Sequence, residues 1–127
     1  MHSAATEELV RRFFVDYTER YSMMDLDGFL SLFSRKAVQN RIHGLKDMKK
    51  IYRDFFDQSV QLRYFLEDMK VEIHPGVVEI KGRYVLVQAP KKASAIKVWR
   101  GKIEWVLIRE DGALKVLSLD YHPQESS

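Results

Sequence analysis

Three groups of residues in this sequence have the types and spacing to do chemistry. The first is "DLDG" at Asp25–Gly28, two aspartates and a glycine between apolar runs. A calcium loop between helices places glycine at its sixth position and oxygen ligands at its first and twelfth. With Gly28 as that glycine, the first position is Met23 and the twelfth is Ser34. Asp25 and Asp27 alone cannot enclose a hard cation, so the segment reads as a helix corner. There Asp25 caps the second helix, Asp27 adds favourable charge in its first turn, and Gly28 lets two helices approach closely.

The second group is the histidines His2, His43, His74 and His122. His2 and His122 lie near the termini and His74 falls in a turn. His43 sits where a strand passes into a helix. The chain has no H-E-x-x-H, no close histidine pair and no cysteine. The expectation is therefore no metal site, no disulfide and no thiolate chemistry. Glycine-rich phosphate loops are absent too, and no cofactor is implied.

The third group is the basic run "PKKASAIKVWRGK", Pro90–Lys102. It holds Lys91, Lys92, Lys97, Arg100, Lys102 and Trp99, and no acid. Lysines with an aromatic can bind nucleic acid through phosphate contacts and stacking. They can equally be a solvated hairpin whose charges keep an edge strand from aggregating. The net charge of the 127 residues is only +3, and acids are interspersed along most of the chain. That balance favours the solvated hairpin and argues against a nucleic-acid partner.

The elements that must position these residues are read from periodicity. Hydrophobic residues are 46% and charged residues 31%, a globular composition at the length of one domain. The expectation is a single domain over residues 1–127, with a core from about 6 to 122 and flexible termini. No apolar run approaches a membrane span. The start "MHSAATEELV" has no apolar export signal. The default location is the cytoplasm, open if the domain comes from a longer exported protein. Leu9, Val10, Phe13, Phe14, Tyr17 and Tyr21 step by three and four, which predicts a helix over 6–23 with Thr6 as its cap. A short helix is predicted from Leu26 to Phe33 and a third from Leu45 to Ser59. "AVQNRIH", Ala37–His43, reads as a short strand between them.

After residue 60 the period becomes two. Val78, Ile80, Tyr84 and Leu86 share one face, and Glu79, Lys81 and Arg83 share the other. His74-Pro75-Gly76 and "REDG" mark turns. Connections this short make antiparallel neighbours. The strand through Ile103–Ile108 is apolar on both faces, so one face meets the helices. The outer one calls for cover by a second copy, a homodimer.

The order helix, helix, short strand, helix, four strands resembles the nuclear transport factor 2-like superfamily. "DLDGFLSLF", Gly44 through Ile51-Tyr52, and "RGKIEW-LIREDGALKVLSLDY" carry the likeness, over about residues 6–122. The resemblance implies an α+β, cystatin-like cone, with N-terminal helices packed on a strongly curved, mainly antiparallel sheet. It is similar in kind to small bacterial proteins and accessory domains. Ketosteroid isomerases and polyketide cyclases share this fold. The isomerases use a tyrosine on helix one, an aspartate base on the first short strand and a protonated aspartate on a later strand.

Tyr17, eight residues before Asp25, resembles that tyrosine. Counted from Gly28, the base position is Arg41. Counted by alternation, Val38 and Ile42 face inward and bring Asn40 with them. Neither side chain is a general base. Glu104 resembles the third position, either facing the cone or pointing to solvent between Ile103 and Trp105. His43 could reach the cone mouth. The resemblance thus implies a cone lined by Phe13, Tyr17, Phe33, Asn40, Tyr52, Phe55, Tyr84 and Glu104. The expected role is a non-catalytic domain binding a small apolar molecule or serving as an interaction or accessory module. The alternative is an isomerase, cyclase or hydratase using Tyr17, Asn40 and Glu104.

Overall fold

The computed structural model describes residues 6–124. His2 and the outermost residues expected to be flexible lie outside them. Helix α1 spans Glu7–Ser22, with Thr6 accepting the Leu9 N–H at 3.2 Å and Glu7 and Glu8 in the first turn. Its stripe Val10, Phe13, Phe14, Tyr17 and Tyr21 is buried, as the spacing predicts.

Helix α2 covers only Leu26–Leu30. It is shorter than predicted because Phe33 belongs to the next strand. The Leu32 carbonyl accepts the Val116 N–H at 2.9 Å, so the C-terminal strand captures the chain where another helical turn would have formed. Asp25 caps α2 by accepting the Gly28 N–H at 3.0 Å. The expected reason for Gly28 is corrected here. A Cβ at Gly28 would lie 2.0 Å from Asp25 Oδ2, so the glycine makes room for the capping carboxylate, not for a second helix. Arg20 latches this corner to α1, donating to the Gly28 carbonyl at 2.8 Å and to Ser31 Oγ at 3.0 Å.

Strand β1 is Phe33–Gln39 and β2 is His43–Gly44, paired antiparallel. The predicted single strand Ala37–His43 is therefore a hairpin. Asn40 and Arg41, with φ of 50° and 65°, turn the chain in the left-handed region. The facing also reverses. Ala37 and Gln39 are buried, while Val38 and Ile42 are 38% and 76% exposed. A register shift against the C-terminal strand between Phe33 and Val38 sets this parity. Helix α3, Leu45–Asp57, buries Met48, Tyr52 and Phe56, one position every four residues.

Four long strands follow: β3 Ser59–His74, β4 Val77–Pro90, β5 Lys97–Glu110 and β6 Ala113–Pro123. The six-stranded sheet has the order β2-β1-β6-β5-β4-β3. All pairs are antiparallel except β1 with β6, which run parallel. Gly76 and the pair Asp111-Gly112 take positive φ in the tight turns. Val78, Ile80, Tyr84 and Leu86 of β4 join Ile103, Trp105 and Leu107 of β5 in the core beneath the helices. Val106 and Ile108, of opposite parity, are half-buried on the outer face. Phe65 and Val98 on that face are 48% and 49% exposed. The α+β cone architecture is as expected.

Candidate functional site

Between α1, α3 and the inner face of the sheet lies an open cleft of about 940 Å³. The chain has six tyrosines, and all of them line it: Tyr17, Tyr21, Tyr52, Tyr64, Tyr84 and Tyr121. Tyr17 and Tyr21 are one turn apart on α1, Tyr52 is on the buried face of α3, and Tyr64, Tyr84 and Tyr121 come from β3, β4 and β6. Their rings brace one another. Tyr21 meets Tyr52 edge-on at 5.9 Å and Tyr64 at a tilt at 4.7 Å. Tyr84 meets Tyr121 at 6.1 Å, and Tyr17 meets the Trp105 ring at 5.7 Å. Edge-to-face contacts of this kind hold aromatic walls in fixed orientations.

Burial pushes the phenols of Tyr17, Tyr21, Tyr52 and Tyr64 well above their ordinary value. At Tyr17 the neighbouring Trp105 and Tyr64 work weakly the other way. Tyr84 shifts upward as well, again mainly through burial. The wall is therefore uncharged at neutral pH, and its hydroxyls can both donate and accept. Tyr52 spends its hydroxyl proton on Gln39 Oε1, deep in the fold.

The mouth takes Pro90, Lys91, Lys92, Ala93, Lys97 and Trp99 from the run Pro90–Lys102; Arg100 and Lys102 do not line it. Lys91 donates its backbone N–H to the Gln58 carbonyl at 2.8 Å, tying the β4–β5 loop to the end of α3. Trp99 donates its indole N–H to Gln88 Oε1 at 3.2 Å. Gln88 donates to Ser59 Oγ at 2.9 Å, and Ser59 donates to the Phe55 carbonyl at 2.7 Å. This chain of bonds holds Trp99 at the entrance although the residue is 43% exposed. Lys91, Lys92, Lys97, Asp54 and Asp57 complete the rim.

Of the residues expected to line the cone, Tyr17, Tyr52, Phe55 and Tyr84 do so. Phe13 and Phe33 are packed into the core instead, against Phe14 and Phe29. Asn40 is a clamp at the β1–β2 turn. Its Oδ1 accepts the Tyr121 N–H at 3.0 Å, and its own N–H donates to the Leu119 carbonyl at 2.8 Å. At the β2 end of β1 the buried polar side chain is Gln39, one residue before Asn40, and Arg41 is exposed. Glu104 is exposed on the outer face, because its parity is opposite to that of the buried Ile103, Trp105 and Leu107.

His43 pairs with Asp47 at 3.6 Å, but neither lines the cleft. His122 is exposed. His74 lies 3.6 Å from Glu72 and 3.5 Å from Glu79 on the exposed β3–β4 hairpin. The cleft's carboxylates among the described residues, Asp54 and Asp57, are both exposed at its rim. Tyr21, Tyr64, Tyr121 and Gln88 were not assigned to the cone by sequence reasoning, and Trp99 was read as part of the basic run instead. Trp99 was within reach of it, since it shares the parity of Ile103 and Trp105. The seat of the lysines at the mouth was not, because it depends on the loop folding back to α3.

No protein-family model matches the chain, and no curated protein does. Solved structures match it in fold. A candidate scytalone dehydratase from Novosphingobium aromaticivorans superposes with a TM-score of 0.82 at 11% identity, covering 93% of this chain and 83% of that one. Aln2 from a Streptomyces species gives 0.77 at 21% identity, covering 95% and 94%. A candidate dehydratase of the NTF2-like family from Streptomyces avermitilis gives 0.79 at 13% identity, covering 94% and 96%. The fold is that of the nuclear transport factor 2-like superfamily, as the sequence resemblance implies. At these identities the likeness concerns the fold, and the chemistry has to be argued from this chain's own residues.

Proposed function

We propose that this chain is a non-catalytic binding domain for a small, flat, oxygenated aromatic molecule held in the cleft. The observation that carries this reading is the convergence of all six tyrosines on one open cleft of about 940 Å³. That volume falls in the range that encloses ligands of drug size. Tyrosine faces take aromatic rings, and their hydroxyls meet phenol or carbonyl oxygens.

The absence of catalysis is inferred from the groups on the wall. A dehydratase or isomerase must move a proton. Phenols pushed upward by burial are poor bases at neutral pH, Gln88 is an amide, and the cleft's carboxylates Asp54 and Asp57 stand exposed at the rim, away from the tyrosine wall. Glu104, the carboxylate required by the enzymatic alternative, faces solvent. The dehydratase names belong to two structural neighbours at 11% and 13% identity and supply no base to this cleft.

Calorimetric titration with 2-naphthol tests the reading. Saturable one-to-one binding is expected, weakened several-fold by Tyr17→Phe and unchanged by Glu104→Gln. Failure to bind 2-naphthol and related naphthalenols would refute the cleft's role. Turnover of any such compound by the pure protein, lost in Tyr17→Phe, would refute the non-catalytic part.

A further inference from the structure

The rim of the cleft differs from its wall in charge, and the difference carries information about the ligand. Lys91, Lys92 and Lys97 all line the mouth, and none has an ion-pair partner among the described residues. Of the two rim carboxylates, Asp54 is already held by Lys50 at 3.0 Å. Asp57 is then the remaining acid against three lysines. The rim is also a built structure. Lys91 is pinned through its backbone to Gln58. Trp99 is fixed through Gln88 and Ser59 to the end of α3. An exposed indole held in this way presents a ready stacking surface beside the cations.

We infer that the cleft selects an aromatic carboxylate, with the oxygenated ring among the tyrosines and the carboxylate at Lys91, Lys92 and Lys97. The inference rests on the binding reading above and adds the ligand's charge and its direction of entry. The direction follows from desolvation. A carboxylate placed among uncharged, buried phenols would lose its hydration with no cation to replace it. At the mouth it keeps much of its water and gains the lysines. Trp99 then covers the ring edge that the tyrosines leave open. A basic run that suggests phosphate binding on composition thus becomes the recognition end of a small-molecule site.

The experiment compares 6-hydroxy-2-naphthoic acid with 6-hydroxy-2-naphthamide by calorimetry, on the wild type and on a Lys91→Ala, Lys92→Ala, Lys97→Ala variant. The two probes share one ring body and differ in charge. In wild type at about 0.02 M salt the acid should bind on the order of tenfold more tightly than the amide, the scale of a few exposed charge contacts together. The preference should shrink towards unity at about 0.5 M salt, where exposed charges are screened within a few ångströms. It should vanish in the triple variant, with the acid binding no more tightly than the amide. Equal affinity for both probes in wild type overturns the anion inference and leaves the aromatic-binding reading standing. Uptake of neither probe overturns both. An acid preference that survives in the triple variant places the anion elsewhere and overturns the assignment to these lysines.

Discussion

Alkaline pH should unfold this protein abruptly, and the tyrosine cleft sets the scale. Burial raises the phenols of Tyr17, Tyr21 and Tyr52, each less than a tenth exposed. In the unfolded chain a phenol ionises near pH 10. Above that pH the unfolded state binds fewer protons than the folded one, so stability falls as pH rises. Below it these groups are neutral in both states and contribute no pH dependence. Each buried phenol withdraws about 1.4 kcal/mol per pH unit above about 10, and three together withdraw about 4 kcal/mol by about pH 11. Tyr64 is raised too but is half-buried, and Tyr84 is raised without the large shift of the other three, so both are left out of that sum. The loss is comparable with the whole stability of a small domain, about 5–15 kcal/mol. Urea unfolding followed by circular dichroism from about pH 8 to 11, with tyrosinate absorbance read in parallel, measures it. Ionisation of these tyrosines should coincide with loss of structure. Tyrosinate absorbance that rises by the full count near pH 10 in a chain still folded by circular dichroism would refute the reasoning. Tyr52→Phe should flatten the slope by one proton.

The helix corner and the sheet give further outcomes. Asp25→Ala removes the α2 cap and should cost about 1 kcal/mol in chemical denaturation, with naphthol binding intact. Gly28→Ala should cost a similar amount, about 1 kcal/mol, because its Cβ would displace the same carboxylate. Gly101→Ala should be more damaging than either, since its Cβ would lie 2.2 Å from the His122 carbonyl oxygen, which belongs to backbone; a melting temperature equal to wild type would contradict the close approach of β5 and β6. We propose that the outer face, with Phe65 and Val98 exposed, is covered by a second copy. Light scattering should then give twice the mass of one chain, reduced to one by Phe65→Asp.

The helices were legible because their signals are local. Thr6, Asp25 and the three-and-four stripes need only neighbours in sequence to be interpreted. Alternation likewise placed Val78, Ile80, Tyr84 and Leu86 correctly, and the same parity counts Trp99 in and Glu104 out. The segment Ala37–His43 misled because alternation assumes an unbroken strand. Two successive left-handed residues at Asn40 and Arg41, and a register shift imposed by β6, broke it. No local pattern announces either. The cleft was half legible for a related reason. Tyr17, Tyr52 and Tyr84 lie on faces that could be assigned, but the convergence of all six tyrosines depends on strands far apart in sequence.

The parallel pairing of β1 with β6 has a consequence in time. Phe33 pairs with Val116 and Gln39 with Leu119. Ser34 donates to Glu110 at 2.9 Å, and Asn40 accepts from Tyr121. The first strand thus finds its main partner in the last, about eighty residues later. On a ribosome, α1, α2 and β1 would emerge before the strand that completes their contacts exists. Loop closure of that span precedes any reward from the contacts it allows, a topology associated with slow folding. The long β3–β4–β5 meander, whose partners are sequential, is positioned to form first and to serve as the template. The latch through Asn40 and Ser34 would then be a late event, and substitutions there should speed unfolding more than they slow folding.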